Sequence, residues 1–126
     1  MDGQEAFRAH VAAVNSLSLE ATNAWISDDY FGVFCVGDAG TYELYRADDI
    51  REGSRQALTL YEGREPYWAY EPLSSGARGS EFIQVSRLDF SLGGDVVMSA
   101  LVTEVFRLED GGWKLVRQYM EKFRPS

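Results

Sequence analysis

Apolar residues in the N-terminal part of the chain recur at three- and four-residue steps. The residues in this series are Phe7, Val11, Val14, Leu17, Ala21 and Trp25. This spacing puts them on one face of an amphipathic helix, and Asp2 followed by Glu5 has the capping-box spacing that begins a helix. The pattern breaks at Ser27-Asp28-Asp29, where we expect the helical part to end.

The pattern then changes to a hairpin and a second helix. Residues 30–36 and 41–45 are rich in aromatic and β-branched side chains, with glycine-rich turn residues at 37–40 between them. Asp49 and Glu52 repeat the capping-box spacing, and Gly63 suits the end of a helix. We therefore predict a helix over 48–62.

Only strands are predicted after Pro66, and the flanking prolines suit an edge strand at the start of this region. The predicted segments are strands at 67–73, 80–92 and 95–108, a loop at 74–79 and a last strand that opens at Gly112. The order helix, hairpin, helix and four-strand meander predicts an α+β fold, with an antiparallel sheet packed against helices.

Tight turns fix the predicted pairing of the last three strands. The pairing places Glu104 opposite Arg117, and it places Arg87 and Glu121 on either side of Ala100. This face combines apolar walls with two opposite-charge groupings, so we expect it to line a pocket. The other face, apolar with neutral polar residues, is the expected dimer surface. A bulge in these strands would move part of each set to the other face.

Composition narrows the functional classes. The 126 residues fit one domain over 1–126, and the net charge of −8 disfavours nucleic acid or an anionic membrane as a partner. No apolar run reaches the length of a membrane span, and the N-terminus lacks the features of a signal peptide. Cys35 is the single cysteine, so no intrachain disulfide can form, and we expect a cytoplasmic protein.

The C-terminal segment carries the most specific motif. Gly111, Trp113 and Leu115 fit a Gly-x-Trp-x-(Ile/Leu) pattern, with Tyr119 and Glu121 where His and Ser often follow. Together with the element order, which covers the whole chain, this resembles the nuclear-transport-factor-two-like superfamily, also called SnoaL-like or ketosteroid-isomerase-like. The resemblance implies a curved sheet wrapped round helices, a conical pocket and frequent homodimers.

The activities of that superfamily do not transfer directly, because a fold does not choose among functions. Its ketosteroid isomerases use a tyrosine on the first helix and two pocket aspartates, whereas this first helix has no tyrosine and only Asp89 lies near the candidate face. Its dehydratases use pocket histidines, and His10 is the single histidine here. Both activities are therefore disfavoured.

Each polar candidate has a functional and a structural interpretation. Glu104 lies in the most apolar strand, where it is either a general base whose pKa burial raises or the ion-pair partner of Arg117. Arg87 either binds a ligand carboxylate or neutralises Glu121. The Tyr119 phenol either donates a hydrogen bond to a carbonyl or developing oxyanion, or packs in the core.

The aromatic candidates are Trp68 and Tyr70, which share a strand face, and Trp25 from the helix. They either line a pocket for an apolar ligand or form ordinary core. Cys35 and His10 are interpreted as structural. The sequence shows no metal-ligand spacing, phosphate loop or serine triad, so we expect no metal and no cofactor.

Three functions follow from these candidates. The first is a homodimeric domain that binds an unknown small organic molecule in a mixed apolar and charged pocket, whose predicted residues are Trp25, Trp68, Tyr70, Arg87, Arg117 and Tyr119. The second is an isomerase, lyase or cyclase in which Glu104 or Glu121 is the general base and Tyr119 or Arg87 the electrophilic partner. The third is a protein-interaction module that uses the outer sheet face.

Overall fold

A computed structural model describes residues 1–37 and 40–123. Six strands form one curved, unclosed sheet in the order β2-β1-β6-β5-β4-β3. The elements in chain order are α1 (Gly3–Asn15), α2 (Leu19–Asn23), β1 (Ile26–Cys35), β2 (Glu43–Arg46), α3 (Ala47–Leu60), β3 (Pro66–Arg78), β4 (Glu81–Leu92), β5 (Asp95–Glu109) and β6 (Gly112–Lys122). The predicted α+β class and the order of helices and strands are confirmed.

The predicted N-terminal helix is divided into two. Asp2 begins α1 as expected, because its carboxylate accepts a hydrogen bond from the Glu5 backbone at 2.8 Å and the Glu5 side chain reciprocates at 3.1 Å. Leu17 then adopts a left-handed φ of 60°, and Ser18 caps α2. The helical part ends shortly before the predicted break at 27–29, because α2 ends at Asn23 and residues 27–29 already lie inside β1.

The hairpin and the second long helix are confirmed. Strands β1 and β2 pair antiparallel, with Phe31 opposite Arg46. Part of the predicted turn between them, residues 38 and 39, lies outside the described residues. Helix α3 begins close to the predicted position, and the Asp49 carboxylate accepts a hydrogen bond from the Arg46 backbone at 2.9 Å. Gly63 follows the helix with a φ of +75°, which favours glycine.

The four-strand meander is confirmed, with two differences from the prediction. Strand β1 lies parallel to β6, where Val33 is opposite Tyr119, so the sheet is not wholly antiparallel. Strand β3 is an edge strand as predicted, but it continues to Arg78 instead of ending in a loop at 74. The register shifts between Pro72 and Ser74, which lets this long strand stay paired with β4 past the irregularity.

Two bulges change the register of the central strands. The pairing next to each turn is the predicted one, with Leu92 opposite Asp95. Val97 is then the extra residue of β5, and Val116 is the extra residue of β6. Because an extra residue moves all following side chains to the opposite face, Glu104 faces Gln118 across the strands, not Arg117.

The predicted ion pairs are therefore wrong. Arg117 pairs with Glu81 at 2.9 Å and Arg87 with Asp89 at 3.4 Å, and all four groups lie on the outer face of the sheet. Glu121 also lies on that face, where it accepts a hydrogen bond from the Tyr119 hydroxyl. None of these groups contacts Glu104.

The main core lies between the helices and the inner face of the sheet. Its buried members are Phe7, Ile26, Tyr30, Ala47, Phe82, Phe106 and Leu115. Helix α1 approaches the sheet so closely that a Cβ at Gly3 would lie 2.3 Å from the Phe82 ring. In the part of the chain that the structure describes, no helix is long and apolar enough to cross a membrane.

Candidate functional site

A cavity of about 510 Å³ lies between the helices and the inner face of the sheet. Helix α3 contributes Ile50, Ala57 and Leu58 to its lining, and the sheet contributes Leu115 and Met120. The inner end reaches the buried His10, and the outer end reaches Val97, which is 54% exposed. The cavity is thus an apolar pocket that is open at one end.

Three aromatic rings form one wall of the cavity. The Trp68 and Phe90 rings have centroids 4.8 Å apart and are tilted by 34°, and the Tyr61 ring lies 4.9 Å from Phe90. The Asn15 side chain fixes the position of Trp68, because it donates to the Trp68 carbonyl and accepts from the Trp68 backbone N–H, both at 2.9 Å. The C-terminal end of α1 thereby holds the edge strand that carries this wall.

A buried polar network closes the inner end. Glu104 is fully buried, and its carboxyl Oε2 accepts a hydrogen bond from Gln118 Nε2 at 3.0 Å. The Gln118 side-chain oxygen accepts in turn from the Tyr30 hydroxyl at 2.9 Å. His10 Nδ1 lies 3.7 Å from Glu104 Oε2, which is too long for a hydrogen bond. His10, Gln118 and Tyr70 line the cavity, with Glu104 beside them.

This network is not fully satisfied. Among the described residues, four side-chain atoms are buried without a hydrogen-bond partner: Glu104 Oε1, His10 Nδ1, Ser86 Oγ and Asn23 Oδ1. A buried polar atom without a partner costs about 1–3 kcal/mol, so most folded chains pair such atoms. Two of the four atoms belong to His10, which lines the cavity, and to Glu104, which does not line it but lies 3.7 Å from His10.

Burial sets the protonation states of this pair. It raises the pKa of Glu104 to about 8, although the hydrogen bond from Gln118 lowers the pKa in part. Burial also lowers the pKa of His10 to about 4. At neutral pH Glu104 is therefore a carboxylic acid and His10 an uncharged imidazole. The pair offers a proton donor and an acceptor without carrying a net charge.

The structure brings some predicted site residues together and separates others. Trp68 and Tyr70 line the cavity. Trp25 does not line it but packs edge-on against His10, with ring centroids 5.7 Å apart. Glu104 is fully buried, as the general-base interpretation expected, but it does not line the cavity and contacts the lining residue Gln118.

The remaining candidates belong to the other face. Arg87, Arg117, Tyr119 and Glu121 do not line the cavity. The hydrogen bond to Glu121 raises the pKa of Tyr119, so this phenol donates to a neighbouring side chain instead of to a ligand. The predicted mixed face is therefore divided between a cavity and an outer surface.

Sequence reasoning missed His10 and Gln118. His10 follows Phe7 by three residues and precedes Val14 by four, which places it on the apolar stripe of α1. This position was the sequence signal that His10 would be buried. Gln118 had no local signal, because the bulge at Val116 alone turns it inward. Across residues 1–37 and 40–123, no group of three His, Cys, Asp or Glu side chains could hold a metal ion.

Comparisons with known proteins identify the fold. No protein-family model and no curated protein matches the chain. Among solved structures, an NTF2-like protein from Cytophaga hutchinsonii superposes with a TM-score of 0.70 at 11% identity, over 98% of this chain and 100% of that one. A candidate type II calcium/calmodulin-dependent protein kinase association domain from Thiobacillus denitrificans gives 0.76 at 17% identity, over 97% and 95%.

A candidate ketosteroid isomerase from Parabacteroides distasonis gives a TM-score of 0.71 at 15% identity, over 94% of this chain and 86% of that one. Similarity at this level of identity establishes the fold and no activity. The chain has the nuclear-transport-factor-two-like fold, which confirms the fold expected from the C-terminal motif and the element order.

Proposed function

We propose that the chain binds a small, mostly apolar organic molecule in the cavity. The observation that supports this function most directly is an apolar cavity of about 510 Å³ whose lining includes His10, with a buried Nδ1 atom that has no hydrogen-bond partner among the described residues. Small-molecule sites commonly have this size and combine apolar walls with a few convergent polar groups. This pocket differs from the one expected from the sequence, because its polar end is uncharged.

The chemistry of the inner end selects the polar group of the ligand. The protonated Glu104 can donate a hydrogen bond, and the neutral His10 can accept one. A carbonyl or hydroxyl oxygen satisfies these groups, whereas a charged group would be desolvated there without a counter-charge. The ligand therefore places an uncharged oxygen at this end.

An enzyme is the second candidate function. The Glu104 pKa of about 8 lies near neutrality, where a side chain is most effective as a general acid or base, and Glu104 Oε1 has no hydrogen-bond partner among the described residues. An isomerase or lyase would use Glu104 and His10 for proton transfer, instead of the sequence candidates Tyr119, Arg87 and Glu121. Turnover that is lost in Glu104→Gln while binding is retained would distinguish this function from binding alone.

Binding is tested with a cavity-filling variant and its surface control. We expect 2-naphthol, an apolar ring with one hydroxyl, to bind in isothermal titration calorimetry. Ala57→Trp fills the cavity and should abolish binding, whereas Gln56→Trp adds the same ring at the exposed neighbouring position and should not. Equal binding by both variants, with both folded by circular dichroism, contradicts a ligand in this cavity.

The outer face is proposed to pair two copies of the chain. Exposed apolar side chains there include Leu44, which is 63% exposed, and Phe31, which is 37% exposed. Sedimentation velocity should give a dimer that Leu44→Lys dissociates. A monomer at all concentrations contradicts this assembly and favours an interaction with another protein.

The cytoplasmic location stays a prediction.

A further inference from the structure

Small residues in the middle of α3 leave space in the cavity. Gly53, Ser54 and Ala57 all line it, between the larger side chains of Ile50 and Leu58. The Ser54 hydroxyl donates to the Ile50 backbone carbonyl at 2.9 Å, so its proton is engaged within the helix. At this point α3 therefore presents a low surface to the cavity, made largely of backbone.

Neither the backbone nor the packing of α3 requires glycine at position 53. Gly53 lies in the interior of the helix, and its φ is not positive. Outside the helix backbone and the two chain neighbours, a Cβ at Gly53 would meet no described atom within 4 Å. Glycine in a helix interior is less stable than alanine, because it loses more backbone freedom on folding. Gly53 therefore weakens α3 without relieving a contact.

The sheet supplies an aromatic surface on the other side of the cavity. Trp68 and Phe90 line it, with ring centroids 4.8 Å apart. Aromatic rings pack against one another by offset or tilted stacking, so this surface favours a ligand with a flat ring. Such a ring turns its other face toward the helices, where a glycine allows the closest approach to the backbone.

A buried polar atom gives independent evidence of a bound molecule. His10 lines the same cavity and is 3% exposed, and its Nδ1 has no hydrogen-bond partner among the described residues. Folded chains pair most such atoms, because an unpaired one has lost its hydrogen bonds to water. Burial lowers the pKa of His10 to about 4, so the imidazole is uncharged at neutral pH. A hydroxyl suits either tautomer, since it both donates and accepts.

Building on the proposed function, we propose that Gly53 is a specificity-determining residue and that the ligand is an uncharged aromatic alcohol of the phenol type. One face of its ring lies on Trp68 and Phe90, and the other lies against the α3 backbone at Gly53. Its hydroxyl meets His10 Nδ1. Glycine is kept at position 53 because a side chain there would occupy the space of the ring.

The test measures stability and binding together in Gly53→Ala. This substitution should raise the urea midpoint of unfolding, because alanine is the better helix former. It should weaken 2-naphthol binding about tenfold in isothermal titration calorimetry, because the added methyl group overlaps the ring. Thr59→Ala, on the exposed face of α3, is the matched control, which should also raise the midpoint but leave the affinity within about twofold.

Two further measurements test the ring and the hydroxyl. Decahydro-2-naphthol keeps the hydroxyl but has thicker saturated rings, and it should bind about fivefold more weakly than 2-naphthol because stacking is lost. His10 is the single histidine of the chain, so nitrogen-15 NMR observes its ring directly. The Nδ1 resonance should shift when 2-naphthol is added to the wild-type chain, and should not shift in Ala57→Trp.

Several results would overturn the inference. A lower urea midpoint in Gly53→Ala would show that packing requires the glycine. An unchanged affinity, or an equal loss in Thr59→Ala, would show that the ring does not lie at Gly53. Equal binding of the two naphthols, or an unmoved Nδ1 resonance, would exclude the phenol-type ligand. The proposed function still stands in these cases, provided that Ala57→Trp abolishes 2-naphthol binding. If 2-naphthol does not bind the wild-type chain, both fail.

Discussion

The two faces of β5 and β6 use polar residues in opposite ways. On the inner face, Glu104 is fully buried and its carboxyl accepts from an uncharged amide. On the outer face, Arg117 is half exposed and forms an ion pair with Glu81. Arg117 of the outer face and Gln118 of the inner face are neighbours in β6, so local sequence does not separate the two faces.

This difference shows that a polar side chain becomes a candidate for binding or catalysis when it is buried, and not simply when it is charged. A carboxyl group without a cation in an apolar interior keeps its proton to a higher pH. An exposed pair keeps both charges but contributes little, because water and salt screen it. Glu104 therefore keeps its proton near neutral pH, whereas Arg117 and Glu81 pair with each other.

The largest expected effect contrasts a leucine from each face. Leu115→Ala should lower the free energy of unfolding by about 2–5 kcal/mol, because the side chain is 1% exposed and its loss leaves a cavity. Leu44→Ala, at a position 63% exposed, should change it by less than about 0.5 kcal/mol in the monomer. Urea denaturation measures both at a protein concentration below that at which the proposed dimer forms. A loss in Leu44→Ala as large as that in Leu115→Ala under these conditions would contradict the contrast.

The pH dependence of stability tests the inner face next. The folded chain keeps the Glu104 proton up to about pH 8, whereas an unperturbed Glu loses it near pH 4.5. The unfolded chain therefore binds fewer protons over this range, and stability falls as pH rises. His10 acts in the opposite direction, but mainly between about pH 4 and 6.5.

Between pH 6.5 and 8 the contribution of Glu104 outweighs that of His10, and the expected net fall in unfolding free energy is about 1–1.5 kcal/mol. Tyr30 and Tyr70 also face Glu104, but burial raises their pKa values further from this range. Urea denaturation at both pH values measures the fall, which Glu104→Gln should remove. An equal fall in this variant would assign it to other groups.

A smaller effect on stability is expected when Gln118, the amide of the buried network, is replaced. Gln118→Leu keeps much of the volume but leaves the Tyr30 hydroxyl and Glu104 Oε2 without their partner, at a cost of about 1–3 kcal/mol. The substitution should also raise the pKa of Glu104, because the hydrogen bond from Gln118 stabilises the ionised carboxylate and is lost in this variant. Gln56→Leu, on the exposed face of α3, is the matched control. Equal stabilities of the two variants would contradict the network.

The smallest effect is expected on the outer face. A double-mutant cycle with Glu81→Ala and Arg117→Ala should give a coupling energy below about 1 kcal/mol, because Arg117 is 47% exposed. The coupling should weaken further in 1 M salt. A coupling of several kcal/mol that is insensitive to salt would show that the outer pair is desolvated, for example in a dimer interface.

The fold was predictable because its signals are local. Capping at Asp2, the turn at Gly93-Gly94 and the strand patterns fix the elements and the pairing beside each turn. The bulges at Val97 and Val116 were not predictable, since their neighbours are β-formers on both sides. Each depends on how the whole sheet curves over the helices, which no short segment encodes.

The candidate site was predictable only in part for the same reason. Glu104 could be singled out because a carboxyl group in an apolar strand is unusual. Its neighbours could not, because Gln118 contacts it only as a result of the bulge at Val116 and His10 lies near it from a helix 94 positions earlier. A one-residue shift in register therefore replaced an expected ion pair with an uncharged network.

The most direct test of the central claim is the titration of Glu104 itself. Carbon-13 NMR of the side-chain carboxyl groups, with Glu104→Gln to assign the resonance, would follow its protonation from pH 4 to pH 10. A midpoint near pH 8 is predicted, and it should move when 2-naphthol binds. A midpoint at or below the ordinary value of 4.5 would show an ionised carboxylate at neutral pH, and would contradict an uncharged inner end of the cavity.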